Sequence, residues 1–332
     1  MVKKLYWQIA QKNHDLHKSI HDLKFLGIEI TNRCNLQCRH CYMNADHKQM
    51  TDYISTKQWK KFFLELKKNF NNKIVIQITG GEPLIRSDIF EIIEYIKLLG
   101  FKVTLVTNGI LLNQQNLPKL KELLTSLCIS LDGFANSHNQ LRNAEIYDLV
   151  LNNIKLAVKI GINDLTIKTT VTKRNLTQLH EFYNLLKETP VPKWHIFSME
   201  PIGRGKYNQD LILSNDEYLE LCAFVDQIKK EKKPKIKIKF EEGDCDFLVD
   251  KTCKICKHKL CYSGISSCSI LSNGDVVPCI QDNRNNLEIQ GNITRDDFKD
   301  IWADKFQKNR DKKYKFCQNH YFINNLIKDE NN

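Results

Sequence analysis

Three cysteines fall within eight residues, Cys34, Cys38 and Cys41, in the string ITNRCNLQCRHCYMN. Thiolates are soft ligands suited to iron–sulfur chemistry, and three of them can hold three irons of a cubane. The fourth iron is then left to bind a substrate or cofactor and pass it an electron. A zinc site is the other use of such a triplet, but it needs a fourth ligand, and the loop offers only His40. A second group lies near the other end of the chain: Cys245, Cys253, Cys256, Cys261, Cys268, Cys279 and Cys317. Within it, Ile270 and Leu271, then Val276 and Val277, flank Ser-Asn-Gly-Asp, a hairpin signal that would bring Cys268 and Cys279 together. Cys128, inside SLCISL, and Cys222, on a helix's apolar face, read as small buried hydrophobes.

The chain around these groups has 332 residues and 12 cysteines. Its first fifteen residues lack the apolar core and cleavage site of a signal peptide. No apolar run approaches the roughly 18 residues a membrane span needs. A cytoplasmic, reducing setting follows, in which clustered thiols hold metal rather than form a disulfide framework. The formal charge is +11. The lysines are dispersed over helix faces and turns without aromatic interleaving, which argues against a nucleic-acid partner. The densest basic stretch is IKKEKKPKIKIKF, residues 228–240.

The elements that must position the first cysteines follow from periodicity. Strands are expected at 25–31, 74–79, 101–107, 126–133, 165–171 and 194–200. Helices are expected at 56–70, 89–99, 117–124, 145–159 and 176–188. Six such alternations predict an α/β fold with a parallel sheet and outer helices. The polar and glycine-rich positions (Gly80 to Pro83, Asn108–Gly109, Asp132–Gly133) follow the strands, at the sheet edge where ligands sit in such folds. A partial barrel of six βα units accounts for the pattern at least as well as a doubly wound sheet. The division expected is an N-terminal extension (1–24), the partial barrel (25–213), a bridging helix and solvent-exposed strand (214–242) and a smaller cysteine-rich domain (243–332).

CNLQCRHC resembles the CxxxCxxC signature of the radical S-adenosylmethionine (SAM) enzymes. GGEP (80–83), TNG (107–109), SLDG (130–133), TTVTKRN (169–175) and MEPIGRG (199–205) resemble that family's later strand-end motifs. The resemblance implies a [4Fe–4S] cluster on Cys34, Cys38 and Cys41, with SAM chelating the open iron. It implies His40 near the adenine, Gly80, Gly81 and Glu82 holding the SAM amino group through backbone carbonyls and nearby polar groups, and Ser130 and Asp132 at the ribose. Thr170 and Asn175 are weaker candidates, for the SAM carboxylate or nearby loops. The reaction implied is reductive cleavage of SAM to a 5′-deoxyadenosyl radical that abstracts hydrogen, with a reducing partner such as flavodoxin or ferredoxin.

The spacing Cys261-x12-Gly274-x4-Cys279 resembles the opening of a SPASM domain, which carries auxiliary clusters. It departs from the full pattern at Cys317, which is followed by His320 and no further cysteine. One auxiliary [4Fe–4S] cluster on Cys261, Cys268, Cys279 and Cys317 is the expectation, with Cys245, Cys253 or Cys256 able to replace a member or form a separate site. His258 and His320 read as surface or packing residues. The tail resembles peptide-maturing relatives, so a ribosomally made peptide or protein is the expected substrate. A small molecule or cofactor precursor is the alternative. About 24 residues before the first strand are too few for a leader-binding domain, which leaves the KIKIKF strand as a candidate edge for a leader peptide.

Overall fold

A computed structural model describes residues 22–45, 48, 51–71, 73–162, 164–231, 234–240, 262–280 and 287–311. Cys245, Cys253, Cys256, Cys261, Cys317, His258 and His320 lie outside these residues, as does most of the N-terminal extension.

The first half alternates as the sequence predicts. Strand β1 (Phe25–Glu29) leads through the cysteine loop to α1 (Thr56–Asn69). Then come β2 (Val75–Thr79), α2 (Ile89–Leu98), β3 (Lys102–Thr107), α3 (Leu117–Leu123) and β4 (Ser126–Ser130). Two helices follow β4, α4 (Ala135–Arg142) and α5 (Tyr147–Ile160). The chain continues with β5 (Leu165–Val171), α6 (Leu179–Glu188), β6 (Lys193–Ser198), α7 (Asn215–Lys229) and β7 (Lys237–Phe240). Helix α1 starts where Ser55 and Gln58 form a reciprocal capping box. Strands β1 to β7 pair in parallel in sequence order and form a partial barrel.

Each strand alternates between two layers. Leu26, Ile28, Ile76 and Ile78 face the helices and are fully buried. They meet Trp59, Phe62, Phe63 and Leu66 of α1 and Ile89, Ile92, Ile93 and Ile96 of α2. The opposite face carries Gly27, Gln77 and Thr104 in register, so the inside of the barrel is polar.

The tail joins this sheet rather than standing apart. Strand β8 (Ser267–Ile270) pairs in parallel with β1, with Leu26 opposite Cys268. Strand β9 (Asp275–Val277) turns back against β8 as the expected hairpin, and β10 (Gly291–Asn292) pairs with β9. Phe298 packs its ring edge-on to Phe62 of α1 at 5.4 Å. Among the described residues one ten-stranded sheet runs from β10 to β7.

Strand β7 differs from its expected exposure. Parallel pairing to β6 and stacking of Phe240 on Tyr218 of α7 bury Phe240; Ile236 just before the strand is buried too, and Lys235 and Lys237 stay exposed. Among the described residues no helix is long and apolar enough to cross a membrane.

Candidate active site

The C-terminal ends of the strands surround a cavity of about 220 Å³. Cys34, Cys38, His40 and Cys41 line it from the loop after β1. Thr79, Gly80 and Gly81 contribute from β2, Asn108 from β3, Ser130 from β4, Thr170 from β5, and Ser198, Met199 and Ile202 from β6 and its loop.

The loop after β1 is held by its neighbours. The N–H of Gly81 donates to the Thr31 carbonyl at 2.9 Å, and that of Glu82 to Arg33 at 2.9 Å. Gly80 has φ +133°, a conformation that L side chains avoid. A Cβ on Gly81 would stand 1.9 Å from the Arg33 carbonyl oxygen and 3.1 Å from Cys34 Cβ. From the other side, Arg204 donates through Nε to the Cys38 carbonyl at 2.8 Å and through Nη1 to the Ala45 carbonyl at 2.9 Å. Its own backbone N–H donates to the Cys41 carbonyl at 2.8 Å. Asn108 reaches Asn35 Oδ1 at 2.7 Å.

Two acids expected at the cofactor do not face the cavity. Glu82 is fully buried; Oε1 accepts from Thr107 Oγ1 at 2.8 Å and Leu84 N–H at 3.1 Å, and Oε2 accepts from Asn108 N–H at 2.8 Å. Its side chain ties the GGEP loop to the end of β3. Asp132 is also fully buried. Its Oδ1 accepts from Thr170 N–H at 2.8 Å and its Oδ2 from Arg142 Nε at 2.7 Å. Burial opposes ionisation of Asp132, but the Arg142 guanidinium overrides it and holds the carboxyl down to about 2. Asn175 is buried as well, bridging the Asp132 and Thr170 carbonyls at 3.0 and 2.9 Å.

Cys268 does not join a polar site either. It sits opposite Leu26 within the apolar layer between sheet and helices. Burial pushes its thiol far above the usual range. Cys279 lies two residues past the end of β9, half-buried, and its neighbour Ile280 lines the cavity.

Sequence reasoning did not single out Arg142, which lines the cavity at the end of α4 and reaches Cys38 Sγ through Nη1 at 3.9 Å. The only sequence signal is the spacing of His138 and Arg142, one helical turn apart on the face toward Asp132. His138 accepts a hydrogen bond at Nδ1 from the Asp132 backbone N–H, at 3.0 Å.

These residues fit an iron–sulfur group with SAM beside it. Three soft donors converge on one cavity. Burial pushes the Cys34 thiol up to about 12, and it also raises Cys38 against the opposing pull of Arg142. Iron would have to displace those protons. Burial and the Arg142 charge hold His40 down to about 4, so its ring is neutral, and its Nδ1 is buried without a partner. Among the described residues no three His, Cys, Asp or Glu side chains gather tightly enough for a single metal ion.

Residues 28–186 match the radical SAM superfamily, and residues 261–319 match an iron–sulfur cluster-binding domain, SPASM. The chain belongs to the radical SAM superfamily. Enzymes of this superfamily cleave SAM and generate a radical, and this one is an oxidoreductase of that kind. Its cofactors are a [4Fe–4S] cluster, SAM and an auxiliary iron–sulfur cluster of the SPASM segment. The chain is 28% identical to an AdoMet-dependent heme synthase of Oleidesulfovibrio alaskensis, over 84% of this chain and 74% of that one. It is 28% identical to a probable GTP 3′,8-cyclase of Sulfurisphaera tokodaii, over 85% and 87%. In fold it is similar to Streptococcus suis SuiB bound to S-adenosylmethionine, with TM-score 0.69 and 18% identity, covering 92% of this chain and 74% of that one.

Proposed function

We propose that this radical SAM enzyme abstracts hydrogen from a small molecule or cofactor precursor. The observation that carries this reading is the likeness to relatives named for heme synthesis and for cyclising GTP, which extends over most of both chains. The peptide substrate expected from the tail has only a likeness of fold beside it, at 18% identity.

Within this proposal Cys34, Cys38 and Cys41 hold the cluster. The bound cofactors supply one-electron cleavage of SAM and a 5′-deoxyadenosyl radical. The chain's own residues do the rest. Gly80 and Gly81 let the backbone close against the cysteine loop, and their position suits the SAM amino group. His40 lays a neutral ring along the wall, suited to the adenine. Ser130 offers a hydroxyl for the ribose and Thr170 a polar side chain for the carboxylate. Phe197, Met199 and Ile202 add apolar surface to that side of the cavity, among Ser198, Glu200 and Arg204. The Glu82 and Asp132 side chains act as buried braces for the backbone.

For the auxiliary cluster we propose Cys261, Cys279 and Cys317, with one of Cys245, Cys253 or Cys256 taking the place first given to Cys268. The electron would come from a flavodoxin- or ferredoxin-type protein in the cytoplasm. The test is 5′-deoxyadenosine formation by anaerobic, dithionite-reduced enzyme with SAM and fractions of a cell extract. Stimulation by a dialysable, protease-resistant fraction is expected. Stimulation only by a protease-sensitive fraction would return the substrate to the peptide class.

A further inference from the structure

One charged pair stands beside the cysteine loop without facing solvent. Arg142 is 8% exposed and Asp132 is fully buried. The guanidinium is fixed at both ends, through Nε to Asp132 Oδ2 at 2.7 Å and through Nη1 toward Cys38 Sγ at 3.9 Å. Asp132 is fixed in turn by the Thr170 N–H at 2.8 Å. The same helix end is pinned to the cysteine loop by the backbone: Arg39 N–H donates to the Leu141 carbonyl at 2.9 Å. Helix α4 stops there because Asn143 turns left-handed, at φ 55°. The cation therefore cannot drift from the sulfur, and its counter-charge cannot drift from it.

A fixed cation beside a cluster sulfur favours the reduced cluster, which carries one more negative charge. A buried anion beside that cation opposes it. Charge, hydrogen bonds to sulfur and burial are the means by which proteins set such potentials. We infer that the Arg142–Asp132 pair sets the reduction potential of the cluster bound through Cys38, with Arg142 raising it and Asp132 limiting the rise. Arg142 and Asp132 are positioning residues in this role, acting through Cys38. The inference rests on Cys38 being a cluster ligand, as proposed above.

The two partners have opposite expected effects, which a purely structural role would not produce. Asp132→Asn removes the anion and keeps the shape; Arg142→Gln removes the cation and keeps a donor for Asp132. Potentiometric titration of the reconstituted full-length enzyme with dithionite, followed by EPR, reads each midpoint. The signal that changes on adding SAM identifies the relevant cluster. D132N is expected to shift the midpoint upward and R142Q downward, each by about tenfold in the one-electron equilibrium, or about 59 mV. Arg142→Lys keeps the charge and is expected to stay at the wild-type value. Shifts of the same sign, or unchanged midpoints, would overturn the inference. So would lower SAM affinity in R142Q at an unchanged midpoint, which would make Arg142 a ligand of SAM. If D132N and R142Q load no cluster, R142K decides: an unshifted midpoint supports the inference and a downward shift overturns it. Iron content of Cys38→Ala is a separate result. Full iron with the SAM-sensitive signal intact would remove the ligand assignment itself, whatever the other midpoints.

Discussion

His138 accepts a hydrogen bond at Nδ1 and must be unprotonated there to do so. Its side chain has no solvent exposure. Burial lowers its affinity for a proton to about 4 even though Asp132 pulls the other way. An unfolded histidine titrates near 6.5, so between about 6.5 and 4 the unfolded chain binds a proton that the folded chain refuses. Stability is complete above that window and falls on acidification through it, by a few kcal/mol for this one residue. His138→Asn keeps an acceptor for the Asp132 N–H but cannot titrate. Its thermal midpoint is expected to fall less steeply than wild type between pH 6.5 and 4, as differential scanning calorimetry can measure; an identical slope would refute the account. The acids at this scale were only half legible. Glu82 and Asp132 stand where the motifs place them, but a sequence does not reveal that backbone N–H groups, the Thr107 hydroxyl and an arginine will bond to their side chains.

At the scale of elements, the strands and most helices were legible because their buried faces are apolar at a regular period. Helix α4 was not. Its buried face carries Ser137, His138, Leu141 and Arg142, so three polar residues sit where periodicity looks for apolar ones. The pairing of β8 with β1 was hidden for another reason: parallel partners far apart in sequence share no turn that announces them. That pairing decides the fate of Cys268, because the register that sets Ser269 beside Gly27 turns Cys268 toward the helices. Cys268→Ala is accordingly expected to leave the iron content of anaerobically purified protein unchanged and to cost about 1 kcal/mol from lost core packing. Cys279→Ala is expected to lower the iron content. Equal iron loss in the two variants would put Cys268 back among the ligands.

For the whole molecule, the tail is part of the barrel's architecture as well as a carrier of cysteines. Strand β8 covers the edge of β1 that would otherwise present unpaired backbone beside Leu26 and Ile28. Phe298 covers α1 from the same side. A chain ended after residue 240 is expected to lose solubility and its cooperative thermal transition even though the first three cysteines remain. Sedimentation and calorimetry would show this, and a monomeric, cooperatively melting product would contradict it. The expected division at residue 243 therefore cuts across a sheet that is continuous in space. The same pairing also has a consequence in time. About 240 residues separate β1 from its partner, and at 5–20 residues per second the ribosome takes on the order of 10–50 s to make them. Through that interval the strand that leads into Cys34 waits with one side bare, so its final neighbour arrives only after β2 to β7 have all been made.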